Sequence, residues 1–246
     1  MPVKNKDKIA YNQMLMVLDR IKRGKDSSVS TEEADMLYNT KGAKAFMIDS
    51  GMEAADSMAV RGFNQKRPAN SYNTMDSYRG VKYSDMSTAF GTKNSGFAEA
   101  TPDSILFSKN RPMENIDIPG YNSDHTALPH EMGHKLDYAT GQITPQGYSD
   151  NRKRIENVLS KKDSEFNSWD LSADEIKADY TALVALRRAG VIDEERFKIV
   201  QDRLDKRAQE YYAVMVDPGY RDPKAWEQLK YGYRQEVLKK DNNGNK

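Results

Sequence analysis

Apolar residues recur at helical spacing near both ends of the chain and lose that spacing in the middle. Over residues 5–23, Ile9, Met14, Met16, Val17, Leu18 and Ile21 supply apolar contacts, and the pattern predicts an amphipathic helix. After a polar break at 22–28, Ser30 and Glu33 form a capping box. Ala34, Leu37, Ala43, Phe46 and Met47 then predict a second helix over 31–47, with Gly51 and a shorter helical stretch to about Val60 behind it. No residue pattern in 1–61 points to chemistry, so this segment is expected to be a helical scaffold or cover.

Residues 62–104 are rich in Gly, Ser, Asn, Thr and Tyr, as in Ser71-Tyr72-Asn73-Thr74 and the run from Gly91 to Gly96. They predict loops with short strands. Ser104-Ile105-Leu106-Phe107-Ser108 is the best strand candidate, and it is read as an edge strand along which an extended peptide can lie. Pro119-Gly120 predicts a turn, and Gly141 a helix cap. The run Thr144-Pro145-Gln146-Gly147 reads as a polar loop before a helix over 150–162. Helices are predicted over 172–188, ended by Gly190, then over 193–215 and 223–240, with Asp217-Pro218-Gly219 breaking between the last two.

The balance of 37% hydrophobic and 30% charged residues suits a globular protein with much helix. A net charge of +1, from 38 basic and 37 acidic residues, gives no reason to expect nucleic acid as a partner. The absence of cysteine excludes disulfides, thiolate metal sites and cysteine nucleophiles, and suits a reducing cytosol. No apolar signal segment follows Met1–Lys8, and no run of 18 apolar residues exists. A cytoplasmic location without membrane contact is therefore expected. Packaging in a virion or specialised secretion would leave no trace in the sequence.

The chemistry concentrates in one place. The three histidines, His125, His130 and His134, lie within ten residues, and two of them form H-E-x-x-H as His130-Glu131-Met132-Gly133-His134. Residues four apart share a helix face, so His130 and His134 can aim two imidazole nitrogens at one ion, which suits Zn2+. Glu131 is turned so that its carboxylate reaches a zinc-bound water rather than the metal, and it can act as general base. Gly133 removes bulk and would let another helix approach closely. Pro129 is tolerable if the helix begins near 124–126, which leaves it in or near the first turn.

Two histidines leave the ion one protein ligand short, and no histidine follows His134, so a carboxylate is required. Glu175 is the best candidate, with Asp174, Glu165 and Glu156 as alternatives. Against Glu175 stands a capping box with Ser172, which would turn its carboxylate back to its own helix start. Asp179, four residues on, can accept a hydrogen bond from the far nitrogen of a liganding histidine. Ala178, Ala182 and Ala185 would let this helix lie close to the motif helix. His125 lies off the ligand face. Asp137 is either a local structural residue or a partner of the ligands, and Tyr148 and Tyr180 are candidate donors to an oxyanion.

The motif with Glu175 and Asp179 resembles the gluzincin branch of zincin metallopeptidases, where the third ligand is a Glu on a following helix with an acidic residue four positions later. The stretch His130 to Tyr138, HEMGHKLDY, resembles lethal-factor-like peptidases. The helix carrying Glu175 is similar to that of the ImmA/IrrE group. The resemblance covers about residues 100–190. It implies that His130, His134 and Glu175 bind zinc and that Glu131 is the general base. The tyrosine that lethal-factor-like enzymes carry seven residues before the third ligand is Ser168 here.

The expected fold is α+β, a mostly helical zincin-like core with a small sheet over 62–190, flanked by helical segments 1–61 and 191–246. The expected function is a zinc-dependent metallopeptidase acting on a protein or peptide substrate. The alternatives are a non-catalytic binding or structural protein with a vestigial or stabilising zinc site, and a virion- or effector-delivered protease. No feature sets an oligomeric state.

Overall fold

The structure is a computed structural model that describes residues 3–23, 41–57, 77–78, 81–82, 89–93, 98–108, 123–139, 144–162 and 164–244. It is mostly helical, with a small sheet. The helices are α1 (Asn5–Arg23), α2 (Lys41–Ser57), α3 (Ser123–Ala139), α4 (Pro145–Leu159), α5 (Ala173–Arg188), α6 (Glu194–Met215) and α7 (Pro223–Gly244). A 3-10 turn, Pro218–Arg221, separates the last two. Short strands β1 (Ser77–Tyr78) and β2 (Val81–Lys82) pair antiparallel. Strands β3 (Ala89–Lys93), β4 (Glu99–Ala100) and β5 (Ser104–Ser108) form a second sheet in the order β3-β5-β4, with β3 parallel and β4 antiparallel to β5. Among the described residues no helix is long and apolar enough to cross a membrane.

Three expectations need correction. β5 is the middle strand rather than an edge, because both its sides are already hydrogen-bonded; β4 is the edge that meets α3. Gly51 does not stop the second helix. It lies buried inside α2, where burial among apolar neighbours outweighs its weak helix propensity. The loop read at 144–147 is the first turn of α4: Thr144 is extended and its hydroxyl accepts the Gly147 N–H at 3.0 Å, with Pro145 just inside the helix. The Ser30–Glu33 capping box, the Pro119-Gly120 turn and the Gly141 cap lie outside the described residues.

α5 is the central helix. Residues 173–186 are buried except for a partly open Glu175, so its charged members, Asp174, Lys177 and Asp179, are inside the protein. α3 lies along α5, and their approach is set by a missing side chain: a Cβ on Gly133 would sit 2.9 Å from Ala178 Cα. Lys177 Nζ meets Asp137 Oδ2 at 2.5 Å and ties the same two helices, which gives Asp137 a structural role. α5 ends in a Schellman motif, with Gly190 at φ 72° and the Val191 N–H donated to Leu186 C=O. α1 and α2 share one continuous apolar core with α3, α5 and α6.

α3 begins at Ser123, which puts Pro129 in its second turn rather than its first. Pro has no N–H, so the carbonyl of His125, four residues back, loses its helical donor. The buried Tyr11 of α1 replaces it, donating its hydroxyl to His125 C=O at 2.9 Å. This bond holds the N-terminal helix on the motif helix. Tyr11→Phe should keep the packing but leave that acceptor without a partner, and so lower unfolding stability by about 1–2 kcal/mol in urea titration. A change under about 0.5 kcal/mol would mean that solvent satisfies His125 instead.

Candidate metal centre

α3 and α5 bring three donor atoms to one point. His130 Nε2 lies 3.1 Å from His134 Nε2 and 3.2 Å from Glu175 Oε2, and His134 Nε2 lies 3.5 Å from the same oxygen. A tetrahedral zinc with bonds of about 2.0–2.2 Å needs ligand edges of about 3.3–3.5 Å. One edge of the triangle has that size and the other two are 0.1–0.2 Å shorter; its two imidazoles and one carboxylate suit a borderline cation better than calcium or magnesium. The group can hold a metal ion.

The ring orientation also fits. His130 Nδ1 lies 2.7 Å from Asp179 Oδ1. A carboxylate can only accept, so Nδ1 carries a hydrogen, and Nε2 is the nitrogen that faces the centre and would bind an ion on losing its proton. Asp179 is fixed in turn: its other oxygen receives Arg207 Nη1 of α6 at 2.6 Å, and Arg207 Nε donates to the Asp170 carbonyl at 2.9 Å. Nothing local in the sequence marks Arg207, because its partners are 28 and 37 residues away.

Glu175 resolves its two readings in space. Ser172 caps α5 by backbone geometry only, with no side-chain hydrogen bond, so no capping box forms and the carboxylate turns inward. Tyr148 of α4 donates its hydroxyl to Glu175 Oε1. Of the alternative carboxylates, Glu156 and Glu165 are exposed. Asp174 is buried with one oxygen lacking a hydrogen-bond partner, and burial pushes its pKa up to about 6, but it lies outside the donor triangle.

Electrostatics bind the group together. Burial opposes charge on His130, yet Asp179 and Glu175 hold its pKa well above the ordinary imidazole value. His134 is raised in the same sense, against its burial, chiefly by Glu175. Burial alone would raise Glu175, but the two histidines hold it well below the usual carboxylate range. A cation with two or more charges would take over the role of those protons.

Glu131 is buried beside the ligands. Desolvation raises its pKa, opposed by His130 and His134 and by a hydrogen bond from the Ala100 backbone N–H. That bond follows from the sheet. Thr101 N–H donates to Ser104 C=O at 2.7 Å, so the next pair outward, Ala100 and Ile105, is a non-hydrogen-bonded pair. The Ala100 N–H therefore points away from β5 and at Glu131. Buried Lys135 pins this hairpin to α3 by donating to the carbonyls of Thr101, at 3.1 Å, and Pro102, and burial lowers its pKa to about 8.

The remaining candidates separate cleanly. Tyr148 sits edge-on to His134, with ring centroids 6.3 Å apart. Tyr180 is fully buried and donates to Asp205 Oδ1 at 2.5 Å, away from the donor triangle. His125 lies outside the donor triangle, and its carbonyl accepts from Tyr11. Comparison of the chain with known protein families, with curated proteins and with solved structures finds no match.

Proposed function

We propose that the chain is a zinc-dependent metallopeptidase that hydrolyses peptide bonds in a protein substrate. The donor triangle of His130, His134 and Glu175, with a buried carboxylate at Glu131 beside it, is the observation that carries this reading. The three ligands would hold Zn2+, which when bound supplies Lewis acidity and lowers the pKa of water. Glu131 takes a proton from the attacking water and delivers it to the leaving amine. Asp179, braced by Arg207, keeps His130 in the tautomer that presents Nε2. Tyr148, whose hydroxyl donates to Glu175 Oε1, is the residue we assign to donate to a tetrahedral oxyanion once it leaves Glu175. β4 lies against Glu131, whose carboxylate its Ala100 N–H holds in place.

Metal analysis and cleavage test this together. Purified protein should hold about one zinc per chain by elemental mass spectrometry. Treatment with 1,10-phenanthroline should abolish cleavage of a mixed peptide library, and one equivalent of zinc should restore it. Protein that holds no zinc and takes up none would sink the reading.

A further inference from the structure

The metal centre continues outward into an aromatic wall. Tyr148 stands edge-on to His134, and Trp169 lies beyond Tyr148, with centroids 6.3 Å apart and planes tilted by 56°. Trp169 is 46% exposed. Its turn is nevertheless closed by hydrogen bonds. Asn167 Oδ1 accepts the N–H groups of Trp169 and Asp170, at 2.8 and 3.0 Å, and Asp170 Oδ2 accepts the Asn167 N–H at 3.1 Å. The Asp170 carbonyl of this turn is held by Arg207, the residue that also braces Asp179. The Arg152 guanidinium lies 3.4 Å from the Trp169 ring centroid, with Glu156 Oε1 3.5 Å from its Nε. A half-exposed indole held by a cation and a closed turn is preorganised at little entropic cost. Met16, Ile199 and Tyr231, also exposed, lie on α1, α6 and α7, which do not carry the ligands.

We propose that Trp169 and Tyr148 wall a subsite that takes a large aromatic or aliphatic side chain of the substrate within about three residues of the scissile bond. This rests on the peptidase reading. An extended peptide advances about 3.3 Å per residue. A ring one aromatic spacing beyond Tyr148 therefore meets a side chain roughly one to three residues from the bond that is cut. Apolar contact and ring stacking supply the preference.

The test uses zinc-loaded protein and two probes that differ in one side chain, N-acetyl-phenylalanine hydroxamate and N-acetyl-alanine hydroxamate. Calorimetry gives the affinities, and acrylamide quenching reports the indole. The chain has two tryptophans and Trp226 is only 4% exposed, so quenchable emission comes from Trp169. The phenylalanine probe should bind about three- to tenfold more tightly than the alanine probe and should shield Trp169 from acrylamide. Trp169→Ala should bring the ratio close to one, and Trp169→Phe should keep most of it, with zinc content checked in both. A ratio near one in the unsubstituted protein without shielding, or an unchanged ratio in zinc-loaded Trp169→Ala, overturns the subsite and leaves the peptidase reading standing. Protein that takes up no zinc and binds neither probe overturns both.

Discussion

Glu131→Gln should leave about one zinc per chain in place and cut peptide hydrolysis by about 10²–10⁴-fold. The amide has the shape of the carboxylate, and its oxygen can still accept the Ala100 N–H, so the hairpin stays against α3. What the amide cannot do is take a proton from water and return it to the amine. Because Glu131 is almost fully buried, replacing a carboxylate by a neutral group also removes a desolvation cost, and thermal stability should hold or rise. The measurements are kcat/KM on a peptide found in the library, zinc content, and Tm. A variant that cleaves at the wild-type rate would strip Glu131 of its role. Unchanged zinc and unchanged binding of a partner, with no cleavage by either form, would favour a structural zinc site instead.

The loss is expected in kcat rather than KM. Glu131 is not among the donor atoms of the triangle, and its hydrogen-bond partner is backbone from β4. Its contribution is therefore made mainly in the transition state, and removing it lowers kcat and kcat/KM alike. A substitution on the aromatic wall has the opposite signature, because Trp169 touches substrate before and during the reaction.

Much of this site was legible in the sequence because helices convert spacing into direction. A spacing of four from His130 to His134 puts both rings on one face, and Gly133 opposite Ala178 permits the helix contact that delivers Glu175. Asp179 follows from the same logic, four residues past Glu175 and bonded to His130. Tyr148 is one of two tyrosines the sequence offers as an oxyanion donor, and nothing local places either; Thr144-Pro145, taken as an N-cap and first helical residue, starts α4 early and puts Tyr148 in its first turn. Arg207 and Trp169 had no comparable signal. One acts through a partner 28 residues away, and the other gains meaning only from the rings beside it. The edge strand was misplaced for a related reason: the apolar run at 104–108 marks the central strand, while a two-residue edge such as β4 has no periodicity to detect.

Asp137 and Lys177 show why a buried charge near the site is not by itself functional. Both are almost fully buried, yet each neutralises the other between α3 and α5. Removing one partner would unbalance a buried charge group that also includes Asp174, so single substitutions there test folding rather than catalysis.

Glu175→Ala and Asp179→Asn should separate holding the ion from orienting its ligand. Glu175 supplies one of three donor atoms, so its loss should drop zinc from about one per chain to near zero at micromolar free zinc. Asp179 acts through His130. The asparagine can still accept from Nδ1–H, but its amide nitrogen would face the Arg207 guanidinium, donor against donor. The brace loosens, and zinc affinity should fall by about 10–100-fold. Stability reports the same ordering independently. Zinc at about 1,000 times its Kd stabilises the fold by about 4 kcal/mol. Asp179→Asn should lose about 1.4–2.7 kcal/mol of that increment, and Glu175→Ala nearly all of it. The comparison is the zinc-induced change in Tm, each variant against its own chelated form, which cancels any packing cost of the substitution itself. A full zinc-induced shift in Glu175→Ala would mean that another carboxylate completes the centre, and the buried, partly unpartnered Asp174 would be the first to substitute.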